Sequence, residues 1–481
     1  MCKQLRKLSV ILCLLLIVST RADDNPDENF SNFETSVDVC NKCECNTYSD
    51  LFFLNCKSRD MHHTLSNWPS HENKTLRATF SYNIITSLEK FPSSNCSAML
   101  TLSHCSIKYL APGLFENMKN VSYVDFSYNL LTGDQVSKEK FKGPYNNKEN
   151  EPIEIRHLNL AYNRIHSLKK SLFEHMPRLK HLSLEGNRFK ILDLQTQAAL
   201  TSVPNLEYLN LGNNGLRELP RELFKELRKL LEINLFKNQF EQVPDVLANV
   251  DALEVLILDS NLIYELTDGT FAGFDNLIEL SLNNLTNVVE VHANTFTPLK
   301  KLRKLFMSDN KYLEVIENDA FGRGNGMSIR ELYLNNNNLM DIPSVLLDWP
   351  SLHVFEFNGN PLLCSCNLYN ISKSLDKRIT RLKAGPYCIG DEEMSFQVFS
   401  IDDKVCREGY LASLSFRNDF RRKFSAIRVV LITVSLVALT ATFVAIVVCF
   451  AKQRKYGILG QNQFSRSTTI LYNPLSRQPT L

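Results

Sequence analysis

The chain has 481 residues, 44% of them apolar, enough for two or three ordinary domains with full cores. Its 54 basic and 52 acidic side chains nearly cancel, giving a formal charge of +2, so no large single-sign field marks nucleic acid as the partner.

Residues 1–22 open with Lys3, Arg6 and Lys7, continue as an apolar run from Leu8 to Val18, and end in small residues at Thr20 and Ala22. This is the pattern of a secretory signal peptide cut before Asp23, and the run is about half the ~20 residues a membrane-spanning helix needs. A linker, 23–39, leads to a cysteine-rich segment, 40–74, holding Cys40, Cys43, Cys45 and Cys56. CxxC and CxC spacings suit disulfides or zinc; an oxidising compartment favours disulfides, and four cysteines allow three pairings. His62 and His63 invite a metal reading, but no further ligands stand at short spacing, and a solvated pair is expected.

From residue 75 to residue 362 the sequence repeats with a period near 24. A clear unit is Leu179-Lys-His-Leu182-Ser-Leu184-Glu-Gly-Asn187-Arg-Phe189, and Leu206–Leu216, Leu230–Phe240 and Leu253–Ile263 follow the same LxxLxLxxNxL template. Its ninth position falls on Asn83, Cys105, Asn129, Asn163, Asn187, Asn214, Asn238, Asn261, Leu285, Asn310, Asn337 and Asn360, about twelve repeats. The LxL core alternates as a short strand does, with leucines inward, so stacked repeats predict one parallel sheet. The turn after each strand leaves backbone groups inside, and an asparagine amide can satisfy them. Phe115, Phe173, Phe224, Phe271, Phe296 and Phe321 return to the core on the opposite, convex side. No repeat buries its apolar face alone, so neighbours must stack.

Four departures interrupt the pattern. Thr132–Glu154 lengthens one repeat by about ten residues and reads as a surface loop. Leu285 replaces the ladder asparagine beside the sequon Asn284. Gly322-Arg-Gly324-Asn-Gly326 lies in a repeat connection and reads as turn chemistry, not a phosphate loop. Cys96 and Cys105 are separated by a strand, too far apart to bridge, and Cys105 can replace the ladder amide as a buried thiol.

A second cysteine-rich segment, 363–410, carries Cys364, Cys366, Cys388 and Cys406, and a juxtamembrane stretch, 411–428, follows. Residues 429–450 contain no charge and no proline, and at ~1.5 Å per residue they are long enough to span a membrane. The tail, 451–481, starts with Lys452, Arg454 and Lys455 and has no acid, which suits the cytoplasmic side. The outer flank is basic too, so the signal peptide sets the orientation: single-pass type I at the plasma membrane, with residues 23–428 outside. Sequons at Asn29, Asn73, Asn95, Asn120, Asn284 and Asn370 all lie on that side. In the tail, Tyr472 and Leu475 form a Tyr-x-x-Leu sorting signal for a cytoplasmic adaptor, and Cys449 is a candidate for palmitoylation.

These residues resemble the extracellular leucine-rich-repeat family of transmembrane receptors and adhesion proteins, with cysteine-rich caps at both ends and no Toll-type cytoplasmic signalling domain. The resemblance covers roughly residues 40–410. It implies an α/β solenoid, a horseshoe with its parallel sheet on the concave face. It also implies the pairings Cys40–Cys45, Cys43–Cys56, Cys364–Cys388 and Cys366–Cys406. The variable positions of the concave strands then form the ligand platform, and the aromatic and apolar candidates there are Tyr162, Tyr208, Phe236, Ile257, Phe306 and Tyr333. No nucleophile elbow, HExxH or phosphate-binding loop appears, so no enzyme, cofactor or metal is expected. The function expected is recognition of a protein ligand or co-receptor at the cell surface; the alternatives are an auxiliary subunit of a channel or receptor complex and an innate immune co-receptor.

Overall fold

The computed structural model describes residues 39–71, 73–322, 329–380, 385–390 and 395–406. The described residues divide into two compact units, one running to residue 215 and including 220–230, the other made of 216–219 and the residues from 231 on.

The first unit opens with a hairpin, Glu44–Thr47 antiparallel to Leu51–Asn55. Disulfides Cys40–Cys45 and Cys43–Cys56 staple it, with Cα separations of 5.5 and 4.6 Å. Its second strand pairs in parallel with Thr75–Thr79, so this cap supplies the first rung of the sheet and covers what would be a raw apolar end. Ala98–Thr101, Val121–Asp125, His157–Asn159, His181–Ser183 and Tyr208–Asn210 extend the sheet in parallel. The second unit stacks Glu232–Asn234, Val255–Ile257, Glu279–Ser281, Lys304–Phe306, Glu331–Tyr333 and Val354–Glu356 the same way. It closes with the helix Cys366–Ser374, whose N-cap Ser365 accepts the Leu368 N–H at 3.2 Å, and with the hairpin Tyr387–Ile389/Ser395–Gln397. Disulfides Cys364–Cys388 and Cys366–Cys406 hold that end.

Most strands are three residues long because only the central residue points inward. Leu158, Leu182 and Leu209 stand in register and are at most 1% exposed, while their neighbours are mostly half-exposed. Behind each strand the ladder asparagine serves two repeats at once. Asn187 Nδ2 donates to the carbonyls of Leu160 at 2.9 Å and Leu184 at 3.0 Å, while its Oδ1 accepts the Ile165 N–H at 3.1 Å. Cys105 fills the same role as a thiol, donating to the Phe80 carbonyl at 3.1 Å, and burial raises its pKa. Cys96 and Cys105 are both free.

The structure departs from the α/β expectation on the return side. Among the described residues the connections hold only the short helices Leu194–Thr201 and Arg221–Glu226, some 3₁₀ turns, and two-residue strands such as Glu290–Val291 paired with Val315–Ile316. The fold is therefore a β-solenoid of stacked parallel strands. Such returns hold at most one or two turns of helix, and packed phenylalanines fill the remaining space. Ring centroids are 5.5 Å apart for Phe91–Phe115 and 4.8 Å for Phe296–Phe321.

Thr132–Glu154 also needs correction. Its tip is exposed at Tyr145, but Val136, Phe141 and Ile153 are fully buried, and Phe141 packs 5.9 Å from Phe115. The insertion carries its own member of the phenylalanine stack. Among the described residues, no helix is long and apolar enough to cross a membrane. The expected span 429–450, the signal peptide, Asn29, Gly324, Gly326, Cys449, Tyr472 and Leu475 all lie outside the described residues.

Candidate functional site

In the first unit the two residues flanking each inward leucine share the solvent face of the sheet. One column reads Tyr123, His157, His181, Tyr208, and the other Asp125, Asn159, Ser183, Asn210. The rings of the first column pile on one another: Tyr123–His157 at 6.0 Å, His157–His181 at 4.1 Å and 13°, His181–Tyr208 at 5.8 Å.

A second row of rings grows from the turns. The residue before each ladder position takes a left-handed backbone, with φ of 61° at Tyr82, 56° at His104, 55° at Tyr128 and 53° at Tyr162. That conformation costs a bulky residue roughly 1–2 kcal/mol. Here the four rings stack at 4.4, 4.2 and 4.3 Å, nearly parallel. Stacked pairs contribute about 0.5–1.5 kcal/mol each, so the stack offsets much of the cost of its own turns. Lys57 Nζ lies 4.8 Å above Tyr82 at one end. At the other end Gly186 is required: a Cβ there would sit 2.5 Å from the Tyr162 ring.

Between the two rows lies a hollow of about 490 Å³, floored by Asn159, Ser183 and Asn210. Glu185 stands on its wall, with Oε1 accepting the Tyr162 hydroxyl at 2.6 Å and Oε2 accepting Asn210 Nδ2 at 2.9 Å. No lysine or arginine pairs with this carboxylate among the described residues. The bond to Glu185 pushes the Tyr162 phenol above its ordinary range, so it stays a neutral donor. Burial pulls both His157 and His181 below the ordinary imidazole range; His181 and Arg156 add to the effect at His157, while Glu207 opposes it at His181. The imidazoles are therefore uncharged at neutral pH, and Glu185 is the only carboxylate lining the hollow.

The second unit presents a different surface. Ile257, Phe306 and Tyr333 fall in one column, with Phe306 and Tyr333 stacked at 4.5 Å and 9°. Beside them run Glu279, Lys304 and Glu331, with Lys304 Nζ 3.5 Å from Glu279 and 3.9 Å from Glu331. Burial and a bond to Glu331 push the Tyr333 phenol up to about 12. Phe236 stands in the turn beyond its strand, where its N–H donates to Asn234 Oδ1.

Of the six residues singled out from sequence, Tyr162 and Tyr208 thus line the hollow, and Ile257, Phe306 and Tyr333 share a column in the other unit. Sequence reading missed His157, His181, Tyr123 and Tyr128. The signal was present, since these occupy the same template positions, but choosing by size passes over histidine. Asn73, Asn95, Asn120, Asn284 and Asn370 are all exposed, as are His62 and His63. One half-buried group, Glu290, His292 and Glu317, brings its ligand atoms within 4.8 Å of one another and is the described cluster best able to hold a metal. Glu317 Oε2 already accepts the Ala293 N–H at 2.6 Å.

A family model described as "Leucine rich repeat" matches residues 153–203, 204–263 and 251–312. Residues 153–312 are thus leucine-rich repeats. It is similar to mouse podocan, 28% identical over 289 residues that make up 55% of this chain and 44% of podocan. It is also similar to Toll-like receptor 3 of Boselaphus tragocamelus, 29% identical over 43% of this chain and 23% of the receptor. Chicken tsukushi is 27% identical over 50% of this chain and 68% of tsukushi. The matched regions thus span less than half the length of the first two relatives. Within the leucine-rich-repeat match lie the strands of His157, His181 and Tyr208 and the turn of Tyr162; Tyr82, His104 and Tyr128 precede it.

Proposed function

We propose that this leucine-rich-repeat protein is a cell-surface receptor or adhesion molecule that binds a protein partner through the solvent face of its sheet. The observation that carries the reading is the pair of aromatic and imidazole rows on a face whose strands need no rings to fold. Tyr82 and Tyr128 are 50% and 46% exposed, although the inward leucines already fill the core. Rigid aromatic groups held at a surface supply contact area at low entropic cost, the usual basis of binding anchors. Similarity to proteins named as receptors supports the same reading.

Surface placement rests on the secretory leader at residues 1–22, the uncharged run 429–450 and the sequons between them. Disulfide caps at both ends agree with an oxidising compartment. Tyr472 and Leu475 then serve a cytoplasmic sorting adaptor, and no catalytic role is assigned. The test is a screen of the secreted segment 23–428 against cell-surface proteins. Saturable binding to one partner, lost on Tyr208→Ala, is expected; a partner that binds Tyr208→Ala and Tyr128→Asn as well as the parent would remove the solvent face from the account.

A further inference from the structure

The protein-binding reading leaves open what chemistry the hollow selects. Its ring faces are already occupied, since His157 stacks on His181 and Tyr128 on Tyr162. A ligand therefore meets ring edges, hydroxyls and ring nitrogens, not open aromatic faces. Neither His157 nor His181 has a hydrogen-bond partner for its ring nitrogens among the described residues, so each offers a free lone pair when neutral. The Glu185 carboxylate is held by two neutral donors and by no cation. Ser183 and the amides of Asn159 and Asn210 complete the floor. The hollow thus offers the two imidazoles and one carboxylate as acceptors, and that carboxylate faces no cation.

We infer that this hollow is a subsite for a cationic side chain, an arginine or lysine, presented by the partner protein. A guanidinium offers five donors in a planar fork, which suits a carboxylate with several acceptors around it. An anionic group would meet Glu185 unshielded. A neutral side chain would leave that charge without a counter-ion. The volume, about 490 Å³, admits an arginine side chain together with some of its flanking backbone.

The histidine pair makes the subsite sensitive to acid. Around it stand Tyr123 and Tyr208 at the ends of the stack, Arg156 beside His157, and the mutually paired Lys180 and Glu207, 2.6 Å apart. Lys180 and Glu207 largely cancel, and Arg156 opposes further positive charge. Protonating either imidazole adds a positive charge to the lining of the hollow and turns a lone pair into a donor, both of which oppose a cationic guest, so the cation is released as pH falls.

The inference rests on the solvent face being the binding face, but it is tested without a partner. The probe is N-acetyl-arginine amide, compared with its neutral isostere N-acetyl-citrulline amide, followed by saturation-transfer NMR on the full chain in nanodiscs. At pH 7.4 the arginine probe should bind at least tenfold tighter than citrulline. Glu185→Gln should abolish that preference, and a fall to pH 5.5 should weaken arginine binding at least tenfold. The His157→Asn/His181→Asn variant should keep its affinity at pH 5.5. Equal binding of the two probes to the parent chain, or an unchanged preference in Glu185→Gln with its melting temperature intact, would overturn the subsite. The protein-binding reading would then still stand or fall on the partner screen, which uses neither probe.

Discussion

The interior of each repeat hangs on single side chains. Asn187 makes three bonds to buried backbone groups of two repeats. At about 1 kcal/mol net for each, Asn187→Ala should destabilise the protein by roughly 3 kcal/mol in urea unfolding. Asn310 makes a useful contrast. Its Oδ1 accepts the Leu285 N–H at 2.6 Å, but its buried Nδ2 has no partner among the described residues, in the repeat whose neighbour has Leu285 in the ladder position. Asn310→Ala should therefore cost clearly less than Asn187→Ala, and equal losses would contradict the ladder account. The histidines give a pH prediction. Their folded pKa values lie below those of the unfolded chain, so the unfolded state binds their protons more readily. Stability from this source is complete above about pH 6.5 and declines as pH falls through the folded values. The His157→Asn/His181→Asn variant should show a flatter stability profile between pH 7 and 5.

At the scale of elements, the strand was legible and the return was not. The LxL alternation and the ladder residue repeat at fixed offsets, so leucines such as Leu182 and amides such as Asn187 could be placed from the template alone. The return segments vary in length and obey no local period, which is why Phe141 was hidden inside what read as a solvated excursion. Its burial makes a prediction. Phe141→Ala should cost about 3–5 kcal/mol, as other large-to-small core changes do, whereas deleting the exposed tip residues Asn146–Glu149 should leave the unfolding midpoint nearly unchanged. The ring rows were half legible for a related reason. Sequence gives the column a residue belongs to, but the left-handed turn that aims Tyr128 and Tyr162 along one edge is visible only in the backbone.

At the scale of the whole molecule, the caps protect the stack whose solvent face meets the partner. A solenoid fails first at its ends, and here each end is held by two disulfides. Replacing Cys43 and Cys56 by serine should destabilise the protein by about 2–5 kcal/mol, read as a lower denaturation midpoint with earlier proteolysis of the first repeats. With the ends secured, the inward leucines carry the fold and leave the solvent face free for recognition. That is the central claim, and photocrosslinking on living cells tests it most directly. A photoreactive amino acid placed at Tyr208, on the solvent face, is compared with one at Leu194, which is 81% exposed on the return side. The account predicts a single saturable crosslinked partner from position 208 and none from position 194; crosslinking to a partner from position 194 alone would contradict it.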